Sequence, residues 1–186
     1  MRLQFVSPIL HKLDAVEADI LACVVWEDVR PMDGLAALCD WRYGGRLSRL
    51  LMNRFVTGKL DEVILLPGRP LLTTEKLLLL GAGPRAQFDE LRFDRIVLNL
   101  LRVVDGVASR SAIVELPGRH DDTISPERAA DRFLDALTKP GPGASNARQS
   151  HHHSRTAAWT LVCDLESRRR IEQHMLDERR RIRPDG

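Results

Sequence analysis

The stretch that decides the fold is Gly34–Pro84, with the sequence GLAALCDWRYGGRLSRLLMNRFVTGKLDEVILLPGRPLLTTEKLLLLGAGP. Its first part, Leu35–Phe55, has apolar residues at helical spacing. Gly44-Gly45 interrupts this spacing, so a turn or a separate short helix precedes the main helix. The residues expected to share that helix's inner face are Leu47, Leu50, Leu51 and Phe55. Two apolar runs follow, Glu62–Leu66 and Lys76–Leu80, and each is ended by a glycine-containing turn, which predicts two strands.

The rest of the chain alternates further strands with helices. The other predicted strands are Leu3–Val6, Asp19–Trp26, Ser111–Leu116 and Ala157–Cys163. The other predicted helices are Asp89–Val107, a helix that begins at Ser125-Pro126, and Leu165–Ile182. Strands that alternate with helices are typical of α/β folds, in which helices cover both faces of one sheet. We therefore predict a three-layer α/β/α fold.

Length and composition describe a single globular domain, residues 1–186. The chain has 44% hydrophobic and 29% charged residues, which is ordinary for a soluble protein. No apolar run approaches the roughly 20 residues that a membrane helix needs. The N-terminus lacks the pattern of a signal peptide, so we expect a cytoplasmic protein without a membrane partner. The net charge of +2 does not indicate a polyanionic partner.

Two segments near the C-terminus differ from the rest in composition. Residues 139–156 are polar and rich in Gly, Pro and Ser, and they predict a flexible linker within the domain. Residues 157–186 combine a strand with an Arg-rich helix. The three cysteines, Cys23, Cys39 and Cys163, are odd in number and widely spaced, which favours reduced, buried thiols over a redox or metal role.

A series of short motifs runs in a defined order between about Ala18 and about Gly118. They are Gly44-Gly45 before Leu47-Ser48, then Phe55, Gly58-Lys59 and Glu62, then the strand end Leu80–Gly83, and then Phe88 and Arg92. In this order the segment resembles the N-terminal domain of the leucyl, or cytosol, aminopeptidases. The resemblance implies a fold similar to a macro domain, with a mixed, mainly parallel sheet.

The resemblance carries over no catalytic residue. The family's activity needs two divalent metals held by a lysine and several carboxylates, and its signature contains Asn-Thr-Asp-Ala-Glu-Gly-Arg-Leu. Nothing in this sequence matches that signature. We therefore expect no metal, no cofactor and no enzymatic activity. Because the family forms hexamers, the resemblance implies a homo-oligomer or a full-length aminopeptidase subunit as the partner.

Glycines at two strand ends are the first candidates for ligand binding. Gly81 and Gly83 end a predicted strand, where open α/β sheets bind ligands, and glycines there let backbone amides approach a phosphate. Gly118 and Arg119 end the strand that follows the next helix. Macro domains bind ADP-ribose through glycine-rich loops, so ADP-ribose or another nucleotide is the implied ligand. The alternative at both places is a structural turn.

Three other groups of residues are weaker candidates for a binding site. Gly44 and Gly45 could hold an anion at a helix N-terminus, but the resemblance favours a role in packing the helix closely on the sheet. His151-His152-His153 has metal-binding residue types, yet three consecutive imidazoles cannot all face one ion. His120-Asp121-Asp122 is better explained as a turn whose carboxylates cap the following helix.

Arginines of the C-terminal helix are the candidates for nucleic-acid binding. They are Arg168, Arg169, Arg170, Arg179, Arg180 and Arg181. Their local net charge is small and no aromatic residue accompanies them, so this is the third hypothesis. The first is a non-catalytic module for assembly or protein interaction. The second is a macro-like binder of ADP-ribose or another nucleotide.

Overall fold

In the computed structural model, residues 2–118, 123–138 and 157–182 are described. The strands are β1 Arg2–Val6, β2 Ile20–Val25, β3 Val63–Pro67, β4 Lys76–Gly81, β5 Ser111–Val114 and β6 Ala158–Val162. The helices are α1 Leu10–Leu13, α2 Gly34–Arg42, α3 Arg46–Met52, α4 Glu90–Gly106, α5 Pro126–Thr138 and α6 Leu165–Ile182. A short 3₁₀ turn spans Arg85–Gln87.

The six strands form one sheet in the order β1-β6-β5-β2-β4-β3. All neighbouring pairs are parallel except β3 and β4, which are antiparallel. The mixed, mainly parallel sheet that the resemblance implies is therefore confirmed. The five parallel strands end at the same edge, which we call the carboxyl edge.

Two apolar cores cover the two faces of the sheet. One contains Phe93 of α4, Phe133 of α5 and Trp159 of β6. The other contains Leu35 of α2 and Leu47 of α3. The side chains of β2 and β4 alternate between the two cores, so both strands are buried on both faces. This explains why they appear in the sequence as continuous apolar runs rather than as alternating patterns.

Helix α4 follows the predicted pattern closely. The carboxylate of Asp89 accepts a hydrogen bond from the backbone N–H of Arg92, which caps the first turn. The helix buries one face against β4 and α5. The buried residues of that face are Phe93, Ile96, Val97, Leu100, Leu101 and Val104. A single apolar face of this kind is the pattern that sequence periodicity detects best.

The region Leu35–Phe55 forms two helices, α2 and α3, in agreement with the predicted break at Gly44-Gly45. It differs from the prediction at Phe55, which lies beyond α3 with 64% of its surface exposed, rather than on an inner face. Gly44 and Gly45 form the turn between the helices, with left-handed φ angles of +59° and +74°. The expected packing role was wrong, because a Cβ on Gly44 would meet no atom within 4 Å. The left-handed backbone is what requires glycine there.

Candidate functional site

The carboxyl edge is the place where an open α/β sheet binds ligands, and most of the candidate glycines lie there. Gly81 is the last residue of β4, Gly83 follows that strand, and Gly118 follows β5. The loop after β2 reaches the N-terminus of α2 at the same edge. Gly44 and Gly45 do not join this group, because they lie at the opposite end of α2.

The backbone amides of the turn Gly81–Gly83 are all engaged within the protein. The N–H of Gly81 donates to the carbonyl of Glu62 at 2.8 Å, and the N–H of Ala82 donates to the carbonyl of Val25 at 3.0 Å. The N–H of Gly83 donates to the carbonyl of Gly58 at 2.8 Å. A phosphate-binding loop needs amides that point at the ligand, so this turn offers a phosphate no donor in this conformation.

Glycine is needed in this turn because another backbone segment lies directly against it. A Cβ on Gly81 would lie 1.9 Å from the carbonyl oxygen of Lys59, and one on Gly58 would lie 2.5 Å from that of Trp26. The carboxylate of Glu62 fixes the same segment by accepting hydrogen bonds from the backbone N–H groups of Thr57 and Gly58. Gly58 and Glu62, which carry part of the resemblance, thus hold a loop against the strand ends.

A carboxylate of the chain occupies the N-terminus of α2. Oε2 of Glu115, the residue after β5, accepts a hydrogen bond from the backbone N–H of Leu35 at 2.6 Å. Asp33, which precedes the helix, pairs with Arg85, whose Nη1 lies 2.6 Å from Oδ2. A helix N-terminus is a favourable position for an anionic ligand. Here the chain supplies that anion itself, through Glu115.

Aromatic side chains cover the edge between β2 and β4. The rings of Trp26 and Phe88 meet edge to face, with centroids 5.2 Å apart, and the guanidinium of Arg85 lies 5.5 Å from the Trp26 ring centroid. A Cβ on Gly118 would lie 2.8 Å from Cε1 of Phe88. Because Gly118 has no side chain, the Phe88 ring can pack against its backbone, so this glycine has a structural role.

A small cavity remains at the ends of β5 and β6. Its volume is about 30 Å³, and most of its lining is apolar, including Leu116, Ile124 and Ile171. The hydroxyl of Ser167, which also lines it, lies 2.9 Å from Oδ2 of Asp164 and donates to that carboxylate. Ligand pockets commonly measure about 300 Å³ or more. This cavity has room for about one water molecule and no nucleotide.

Three arginines of the C-terminal helix have described side chains, and two of them form ion pairs with carboxylates. Arg168 pairs with Glu172 at 2.8 Å, and Arg170 pairs with Glu127 of α5 at 2.7 Å. The bond from Arg170 holds the pKa of Glu127 below its ordinary value. Arg169 is exposed. Arg179, Arg180 and Arg181 belong to α6 by backbone, but their side chains lie outside the described part of the chain.

Several sequence candidates lie outside the described residues altogether. They are Arg119, His120-Asp121-Asp122, His151-His152-His153 and the predicted linker 139–156. Across 2–118, 123–138 and 157–182, no group of three or more His, Cys, Asp or Glu side chains could hold a metal ion. None of the helices in those ranges is long and apolar enough to cross a membrane.

The three cysteines, all within the described residues, are buried, and none of them is in a disulfide. The Sγ atoms of Cys23 in β2 and Cys39 in α2 lie 3.5 Å apart in the core beneath α2. Burial raises the pKa of the Cys23 thiol well above its ordinary value, and the neighbouring Cys39 adds to the rise. A thiol in this state is a poor nucleophile, because the thiolate is the reactive form.

Sequence reasoning missed Glu115, Trp26 and Arg85 as the groups that fill this edge. The sequence predicts Glu115 within a strand and Trp26 at a strand end. The bond between Glu115 and Leu35 joins residues 80 positions apart. A carboxylate directly after a buried strand was the available signal, because such a residue lies at the edge where helices begin.

Comparison with known proteins agrees with this architecture. The sequence profile of the cytosol aminopeptidase family, N-terminal domain, matches residues 24–138. A probable cytosol aminopeptidase of Idiomarina loihiensis is 30% identical over 101 residues, which cover 53% of this chain and 20% of that protein. One of Halorhodospira halophila is 32% identical over 98 residues, which cover 52% and 20%. The matched part of the chain thus spans about a fifth of the length of these relatives.

Solved structures show the same fold at low sequence identity. A mutant of the Oceanobacillus iheyensis macrodomain is 13% identical, with a TM-score of 0.64 over 95% of this chain and 93% of that one. A mutant of tomato leucine aminopeptidase is 15% identical, with a TM-score of 0.62 over 94% of this chain and 35% of that one. The family profile covers more than half of the sequence. The chain therefore belongs to the cytosol aminopeptidase family through its N-terminal domain.

Proposed function

We propose that this chain is a non-catalytic module that works through protein contacts, either with itself or with a full-length aminopeptidase subunit. The observation that carries the proposal is the state of the carboxyl edge. Its turn amides bond to the chain's own carbonyls, and Glu115 occupies the N-terminus of α2. A carboxyl edge that is filled by the chain's own groups in this way favours the outer surface as the means of action.

The outer surface supports a contact function. Large apolar side chains are exposed on three helices, with Trp41 of α2 68% exposed, Met52 of α3 73% exposed and Leu91 of α4 76% exposed. Single exposed apolar residues are ordinary, but Trp and Met are enriched at protein interfaces. The exposure of several such residues at helix ends favours partner binding.

Sedimentation velocity tests the proposal. The purified chain is run alone from low to high micromolar concentration, and then together with a purified cytosol aminopeptidase. We expect either a concentration-dependent shift to a larger species or a faster-sedimenting complex, without added metal. A chain that stays monomeric at every concentration and forms no complex with the aminopeptidase would contradict the proposal.

A second candidate is a macro-like binder of ADP-ribose or another nucleotide. It is favoured by the likeness to macrodomains, which include an Oceanobacillus iheyensis macrodomain solved with ADP, at a TM-score of 0.59 and 11% identity. Binding at the carboxyl edge would require Glu115 to leave the N-terminus of α2. Glu115→Ala should then bind ADP-ribose more tightly than the wild type, and equal or weaker binding would count against this candidate.

A further inference from the structure

Three large apolar side chains project from the pair of helices α2 and α3. Trp41 is in the last turn of α2, Met52 is the last residue of α3, and Phe55 follows three residues later. They are 68%, 73% and 64% exposed. Together with three arginines of the same segment they form a surface that we call the α2–α3 face. Its members are Trp41, Arg46, Arg49, Met52, Arg54 and Phe55.

The α2–α3 face is strongly cationic. Residues 34–60 contain five cationic residues and one acidic residue; Arg42 is paired with Asp14, and Arg46, Arg49 and Arg54 belong to the face. The acidic residue, Asp40, is used internally, because its carboxylate accepts a hydrogen bond from the backbone N–H of Ser48 at 3.0 Å. Among the ion pairs of the described residues, none includes Arg46, Arg49 or Arg54. The exposed arginines therefore keep their full charge available.

The apolar and cationic members are joined through the turn between the helices. The backbone N–H of Gly44 donates to the carbonyl of Trp41 at 3.1 Å. The carbonyl of Gly44 in turn accepts a hydrogen bond from Nη1 of Arg49 at 3.1 Å. The N–H of Phe55 donates to the carbonyl of Leu50 at 2.9 Å, which folds the chain after α3 back onto the helix. These hydrogen bonds hold α2, α3 and the segment after α3 together as one supersecondary unit, which carries all six exposed side chains.

We propose that the α2–α3 face docks an acidic protein segment that carries apolar side chains; this rests on the proposed contact function and names its partner class. The positive charge of the face indicates which kind of partner it binds. Two copies of this face would bring like charges together, which disfavours a two-fold self-contact. Trp, Phe, Met and Arg are the residues enriched in protein interface cores, whereas Lys, Glu and Asp are depleted. A partner that supplies carboxylates to the arginines and apolar groups to Trp41, Met52 and Phe55 is complementary to both features.

The test is selection of peptides from a random phage-displayed library on the immobilised full chain. The face variant is Trp41→Ala with Arg46→Glu. The matched control, Leu165→Ala with Arg169→Glu, makes the same kinds of change on exposed residues elsewhere. Glu at the first residue of α3 suits the helix N-terminus, so the face variant should fold. Thermal melting checks that both variants are folded.

We expect the recovered peptides to combine Asp or Glu with aromatic or aliphatic residues. Their affinity should fall about tenfold or more on the face variant, should change less than about twofold on the control variant, and should weaken with added salt. Recovery of no peptides, recovery of neutral or basic peptides, or equal binding to the face variant would overturn the proposal. Binding of oligodeoxythymidine that is lost in the face variant, with no acidic peptide recovered, would assign the face to nucleic acid and also overturn it.

Sedimentation separates this inference from the proposed function. If the wild type associates and the face variant associates equally well, the contact function stands and the assignment to the α2–α3 face fails. If the wild type neither associates nor selects any peptide, both fail.

Discussion

Substitution of Gly81 by alanine gives the sharpest test of what the glycines at the carboxyl edge do. The new Cβ would lie 1.9 Å from the backbone oxygen of Lys59, well inside van der Waals contact. The segment that carries Lys59 must then move, and two hydrogen bonds anchor it, Gly81 N–H to Glu62 and Gly83 N–H to Gly58, both 2.8 Å long. Loss of both, with partial desolvation of the freed groups, costs about 2–4 kcal/mol of unfolding free energy.

The matched control is Gly44→Ala, which removes the same backbone freedom from the unfolded chain. Gly44 has a φ of +59° and open space around its Cβ position, so only the left-handed conformation is penalised, at about 1 kcal/mol. Urea denaturation followed by circular dichroism measures both variants. If Gly81→Ala is within about 0.5 kcal/mol of Gly44→Ala, the close backbone packing argued for this turn is refuted.

Three further predictions follow from the described contacts. Glu115→Ala leaves the backbone N–H of Leu35 without its acceptor and should lower the unfolding free energy by about 1–3 kcal/mol. Glu115→Gln keeps an acceptor, so it should lower the unfolding free energy less. Urea denaturation measures both variants, and equal losses would refute this prediction. Arg170 lowers the pKa of Glu127, so that carboxylate stabilises the fold above its ordinary pKa and loses this effect as the pH falls through the lowered value. Glu127→Gln should therefore flatten the loss of stability as the pH falls below the ordinary carboxyl pKa, and an unchanged pH profile would contradict it. Because all three thiols, including Cys23, are buried, thiol-reactive dye should label the native protein slowly and the urea-unfolded protein completely; rapid labelling without urea would contradict the described core.

Elements whose signal is local could be predicted from the sequence. The spacing of α4 comes from one apolar face, and the runs that form β2 and β4 come from burial on both sides. The break at Gly44-Gly45 was also visible, because two adjacent glycines disfavour a continuous helix. The reason why glycine is required at these two positions could not be predicted from the sequence, because only the backbone angles distinguish a left-handed turn from close packing.

The state of the candidate site could not be predicted, because it depends on contacts between distant segments. The sequence places Gly81 and Gly83 at a strand end, but it does not show that the segment around Gly58 satisfies their amides. In the same way, Glu115 caps a helix that begins 80 residues earlier along the chain. A glycine-rich strand end is equally typical of a ligand loop and of a packed turn. The partner of each amide decides between them.

The measurement that tests the central claim most directly is the thermal stability of the wild-type chain with and without millimolar ADP-ribose. A ligand that binds only the native state raises the melting temperature in proportion to its saturation. Because Glu115 occupies the N-terminus of α2 and the amides of Gly81–Gly83 bond to the chain's own carbonyls, we predict no shift. A saturable rise in melting temperature would contradict the account and show that the edge opens to a nucleotide.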